Sequence, residues 1–386
     1  MAAAGYTAEM RRIADDIAAL LGASDPGSIT RRLYRRYQKA AIAGDLAELA
    51  EIIAAIDDSL TALGNPGDLY LLKANAAFKL HKLADVAAAL RSVPSVYDSD
   101  EGRLIRADLD FQRGDYLAAE NGYAEVLSHE RSWAALARLA HLRGKMGDPA
   151  AADGLYEEAQ DQLTAKEMRA YAWLEVQRGF LHFVGGRHGK ARTHYRGADT
   201  AYPGYWLVEE HIAELLGAEG RYDEAAGILE RVVSTVDRPD LDQAIGELYG
   251  LAGHGELARH WEKRALSAYL QSAERGEVHY YHHLVDYYSD VAEDGGEAIK
   301  WANKDLQLRE NFATQAALAW AFYRDGRFGD ARRWIDRALS SGVVDALIDF
   351  RAGEIYRAAG YEARSRELEA RALSLNPAVA GFHIHH

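Results

Sequence analysis

The strongest constraint on this chain is a phrase that recurs along it. Near the C-terminus the sequence runs Gly353-Glu354-Ile355-Tyr356-Arg357-Ala358-Ala359-Gly360-Tyr361 and continues to Ala372 and Pro377. Gly360 reads as a helix-breaking turn, with Gly353 and Tyr356 before it and Ala372 and Pro377 after it. The same turn-plus-helix phrase opens at Gly326-Arg327-Phe328, at Gly220-Arg221-Tyr222 and at Gly114-Asp115-Tyr116. Turns are expected at Gly44, His81, Gly114, Gly147, Gly186, Gly220, Gly253, the 293–296 stretch, Gly326 and Gly360. Five residues beyond each of the last eight comes a small residue: Ala119, Ala152, Ala191, Ala225, Ala258, Ala298, Ala331 and Ser365. Leu49 and Val86 hold that position in the first two. A fixed period of this kind implies stacked helix–turn–helix units, each burying its apolar face only against a neighbour.

The spacing resembles the tetratricopeptide repeat (TPR), whose W-x2-L-G-x2-Y, Ala and Pro pattern spans about 34 residues. The resemblance covers residues 30–377 and implies an all-α, right-handed α-solenoid of about ten repeats. Residues 1–29 are expected to form an N-terminal helix (residues 8–21) and a loop, with Ser28 or Thr30 capping the next helix, and 378–386 a tail. Two repeat intervals are long, which predicts extended second helices near 160–168 and 265–274. The prolines fall at predicted helix boundaries, where they cost least. No run alternates with period two, so no strand is expected. The tail is too short for the terminal helix such arrays carry, leaving dimerisation or a folded-back tail to cover the last apolar face.

Composition excludes several function classes. The net charge of −14 disfavours nucleic acid and anionic membranes, which need clustered cations. The chain has no cysteine, so disulfides, thiolate metal sites and cysteine nucleophiles are excluded. No secretory h-region and no apolar stretch of about 20 residues is visible; a cytoplasmic protein is expected.

What the resemblance implies is a non-enzymatic scaffold or adaptor with a concave groove lined by the first helices. On each, residues 13, 10, 6 and 3 before the turn share a face. Applied to repeats five to nine, this selects Trp173 and Phe180, then Glu210 and Glu214, Gln243 and Glu247, Tyr280, His283 and Tyr287, and Trp320 and Tyr323. The expected lining is aromatic, acidic, then aromatic, fitting a protein or peptide with apolar and basic residues.

The rival reading is a histidine-dependent metal-binding protein. His279 and His283 lie one helical turn apart, as do His282 and Asp286, and the tail carries His383 and His385. None of these sets completes a site. His182, His188 and His194 surround one turn at different helix phases, which argues against their sharing a ligand. Gly185-Gly186-Arg187-His188-Gly189-Lys190-Ala191 fails as a phosphate loop, because Ala191 stands where Ser or Thr must be. Glu209, Glu210, His211 and Glu214 lack a nucleophile, and no cofactor is expected. Arg31, Arg32, Arg35, Arg36 and Lys39 read as a solvated basic face.

Overall fold

Every expected turn is a place where the backbone enters the left-handed region. In the computed structural model, which describes residues 5–382, the eight turn glycines have φ between 66° and 86°. His81 and Glu293 take the same conformation at 56° and 52°. The amide after each turn residue closes back on a carbonyl of the preceding helix, as in Asp115 N to Asp110 O at 2.9 Å and Tyr361 N to Tyr356 O at 2.9 Å. This is a Schellman closure, satisfying carbonyls that the helix end leaves bare. Asp45, Asp115, Asp148 and Asp294 then cap the second helices by accepting from the amide three residues on.

Ten helix pairs result. Repeat one pairs Pro26–Ala43 with Leu46–Leu60, repeat two Gly67–Lys79 with Leu83–Arg91, repeat three Asp100–Gln112 with Tyr116–His129, repeat four Trp133–Lys145 with Pro149–Asp161, and repeat five Met168–Val184 with His188–Ala201. Repeats six and seven pair Trp206–Ala218 with Tyr222–Val233 and Pro239–Leu251 with Gly255–Glu274. Repeat eight joins Tyr281–Asp286 and a π-helical turn, Tyr287–Val291, to Gly295–Leu308. Repeats nine and ten pair Phe312–Arg324 with Phe328–Ser340 and Ala346–Ala358 with Glu362–Leu375. Among the described residues there is no strand, and no helix is long and apolar enough to cross a membrane. Every small residue expected at the helix crossing is buried, from Ala119 to Ser365.

Two local expectations need correction. The cap before repeat one is Asp25, whose carboxylate accepts from Ser28 N at 2.9 Å with Pro26 in the first helical position. The helix Gly255–Glu274 is long, at 20 residues, but Pro149–Asp161 has only 13. Thr164 and Glu167 hydrogen-bond to one another there and turn the chain, so the extra residues go into a loop and the 17-residue first helix of repeat five. A single turn, Pro94–Tyr97, also separates repeats two and three.

The solenoid winds tightly enough to touch itself. Asn311 Nδ2 donates to Gln112 Oε1 at 3.1 Å and Phe312 N to Tyr116 OH at 2.9 Å, joining repeat nine to repeat three. Val344 N donates to Lys145 O at 2.9 Å, joining repeat ten to repeat four. His282 in repeat eight lies 5.4 Å, ring to ring, from His81 in repeat two. Trp206 Nε1 donates to Ile42 O at 2.8 Å. One turn of the superhelix therefore takes about six repeats, and the second coil sits on the first. The N-terminal helix Tyr6–Ala19 joins this contact, with Tyr6 N on Pro203 O at 3.1 Å and Glu9 between Arg169 and Tyr202. The tail folds back: Val379 packs with Ala346 and Ala372, and the Phe382 ring joins the core of repeats six and seven. A folded-back tail, one of the two expected ways to cover the last apolar face, is thus present.

Coil stacking separates the turn glycines into two classes. A Cβ on Gly114 would lie 2.7 Å from Glu310 O, and one on Gly147 2.7 Å from a Val344 methyl, whereas one on Gly326 meets nothing within 4 Å. Gly326→Ala should cost about 1–2 kcal/mol, the left-handed backbone penalty alone. Gly114→Ala and Gly147→Ala should cost a further ~1–3 kcal/mol from overpacking against the other coil. Urea unfolding of the three variants checks this, and equal losses would contradict the stacking.

Candidate binding lumen

The first helices face inward, so the spacing rule can be followed around the coil. Before Gly44 it gives Arg31, Tyr34, Gln38 and Ala41, and all four line one cavity of about 1140 Å³. Asn75 and Phe78 continue the wall in repeat two, Asp108 and Phe111 in repeat three, Ala134, Ala137 and His141 in repeat four, and Trp173 in repeat five. Trp173 meets Trp133 edge to face, with centroids 6.2 Å apart. Phe111 packs edge-on against Tyr116, His141 and Phe312. The wall is thus a ladder of aromatic rings fixed on helices.

Its charge is positive. Arg31, Arg35, Lys79, Arg138 and Arg169 line the cavity against one carboxylate, Asp108. Asp108 is already engaged, accepting from Arg138 Nε at 2.9 Å and from Tyr123 OH at 2.8 Å. Arg35 pairs with Asp16 at 3.2 Å and Arg169 with Glu9 at 2.8 Å. Lys79 is open to water yet walled in by protein. Desolvation lowers its pKa, and the nearby Arg238 and Arg138 lower it further. Enclosure by the surrounding repeats and Lys145 push His141 down to about 4, although its ring is exposed to the lumen. The basic run in repeat one is therefore not simply a solvated face, since Arg31 and Arg35 belong to the lumen and Arg36 pairs with Glu48 at 2.7 Å.

The residues selected in repeats five to nine divide. Trp173 lines the large cavity. Phe180 and Glu214 line a second cavity of about 300 Å³ in the other coil, together with His282, Asp286 and the returning tail. Glu210, Glu214, Gln243, Tyr280, His283 and Tyr287 are buried. Glu214 lies 3.2 Å from His211 Nδ1. Gln243 donates to Glu247 at 2.9 Å and accepts from Tyr269 OH at 3.1 Å. Tyr269 lies parallel to His283 at 5.5 Å and 5.3 Å from Tyr280. Trp320 donates to Asp290 at 2.8 Å and stacks on Tyr323 at 4.6 Å. The expected open acidic groove is corrected by this arrangement. The inward faces of repeats six to eight meet the other coil and the tail, so their acids are internal, and the open wall is basic. The same spacing leads to open space in the first four repeats and at Trp173 of repeat five.

The histidines also regroup. His279 packs on Tyr280 at 4.3 Å and His283 on Tyr269, so the two do not converge. His383 and His385 lie outside the described residues. His182 and His194 do meet, with rings 5.3 Å apart, because the helices on either side of Gly186 are antiparallel. Asp153 joins them; it is the group among the described residues whose side chains are close enough to hold a metal ion. His188 instead stacks on Phe183 at 5.5 Å. Sequence phase alone hid this meeting, since it ignores how the second helix folds back on the first.

No family model matches the chain, and no curated protein matches it. Among solved structures, human IFIT1, a dimer with PPP-AAAA, is similar over 95% of this chain and 94% of its own at 14% identity, with a TM-score of 0.50. The fold is that of a tetratricopeptide-repeat solenoid. Cut9 from the APC/C hetero-tetramer Cut9–Hcn1 covers 96% of this chain and 80% of its own at 14% identity and a TM-score of 0.45. Yeast Tom70 covers 95% and 91% at 12% and 0.45.

The lumen histidine makes stability depend on pH. The pKa of His141 is lower folded than unfolded, so its neutral form stabilises the fold above about 6.5, and that stability is lost as pH falls toward about 4. The melting midpoint of the TPR chain should drop across this window. His141→Gln should show a shallower drop, read by calorimetry at several pH values, and an unchanged slope would contradict the assignment.

Proposed function

We propose that this TPR chain is a non-enzymatic binding scaffold that encloses an extended segment of a partner protein within its first coil. The observation that carries the reading is the partly open cavity of about 1140 Å³ with an aromatic and cationic wall. Aromatic anchors supply most of the energy of such binding, and charge supplies register. The preferred segment therefore carries aromatic and acidic residues, opposite in charge to the one expected from repeats six and seven. A cytoplasmic setting and the absence of a cofactor belong to the same proposal.

A phosphorylated single strand is the rival occupant, since IFIT1 was solved with PPP-AAAA and aromatic walls stack bases readily. The surplus of cations is local, however, while the chain as a whole carries −14. A strand with a charge at every nucleotide would meet repulsion beyond the cavity, whereas a protein segment can confine its acids to it.

A photo-crosslinking amino acid at Tyr34, on the lumen wall, tests this against one at Leu117, which is 70% exposed on a second helix. Crosslinked peptides should arise from Tyr34 and be lost with Trp173→Ala, which should weaken binding by at least about tenfold. Crosslinks from Leu117 alone, or to nucleic acid alone, would overturn the reading.

A further inference from the structure

Asp153, His182 and His194 come from three successive helices: the second of repeat four and both of repeat five. One ligand atom of each lies within 4.8 Å of the others. We propose that these three residues bind a divalent transition cation of the zinc type, which ties repeat four to repeat five.

The surroundings prepare each ligand. Glu175 Oε2 lies 2.9 Å from His194 Nδ1, so Nδ1–H donates to it and Nε2 is the ring atom left to meet a metal. A carboxylate behind a histidine in this way fixes the ring and raises its basicity. Asp153 Oδ1 accepts from Arg178 Nε at 2.7 Å, which leaves Oδ2 facing His182 Nε2 at 3.8 Å. Tetrahedral ligands about 2.0–2.1 Å from zinc stand roughly 3.3–3.5 Å apart. The group needs only a small contraction, and water fills the fourth position.

His182 gives the site a distinguishing mark. Its Nδ1 accepts from Arg187 Nε at 2.9 Å, so the neutral ring carries its proton on Nε2. The cation takes the place of that proton. The displaced proton passes to Nδ1, the ring stays a neutral imidazole, and the Arg187 guanidinium gives up that acceptor.

Zinc titration by calorimetry, in buffers of different ionisation enthalpy, tests this. The protein carries His383, His385 and His386 replaced by Asn, so that terminal histidines do not contribute. Binding of one Zn²⁺ per chain is expected. His182→Ala and His194→Ala should each weaken it at least thirtyfold, and Glu175→Gln about 10–100-fold. His188→Ala should leave it unchanged, and Arg187→Ala, which frees His182 Nδ1 to carry the ring proton, should strengthen it. If His182→Ala fails to fold, Asp153→Asn at a half-buried position gives the same reading. Absence of stoichiometric binding, or wild-type affinity in the folded His194→Ala protein, would overturn the proposal. The partner-segment reading does not depend on either result.

Discussion

The architecture depends on how closely the two helices of a repeat cross. A methyl group, or in repeat ten a hydroxymethyl, is what the crossing admits at Ala119, Ala152, Ala191, Ala225, Ala258, Ala298, Ala331 and Ser365, and each is buried. Close crossings fix the rotation from one pair to the next. That rotation, repeated about six times, returns the chain to its own surface. The lumen, its aromatic ladder and the shielding of Lys79 all follow from that return.

The repeat was legible because its signals are local. Left-handed glycines, aspartate caps and small crossing residues are each decided within a few residues, and all ten turns fall where the spacing puts them. His81 and Glu293 show that position outweighs residue type, since neither is a glycine yet both turn left-handed. The pitch was not legible. Whether Gln112 meets Asn311 depends on small rotations summed over six repeats, and no window of sequence carries that sum. The candidate site failed where it depended on pitch: Glu210 and Glu214 have the right phase for a groove but lie inside, while Arg31 and Arg35 looked solvated and face the lumen. The meeting of His182 and His194 escaped for a related reason, being set by a helix pair rather than by one helix.

Charge teaches the same lesson at larger scale. A chain at −14 still gathers five cations on one internal wall, where partial enclosure strengthens their field relative to the surface. Net charge describes solubility and long-range steering; what a cavity selects is set by the few groups that share its walls.

An open solenoid is nearly one-dimensional: each repeat leans on two neighbours, and the array can fray from either end. Here the returning coil gives repeat three a second set of contacts in repeat nine, and repeat four in repeat ten. The array becomes a sheet of repeats rolled on itself, in which opening one seam exposes two rows at once. Loss of structure is then shared across both coils, and the molecule melts as a block rather than unravelling link by link.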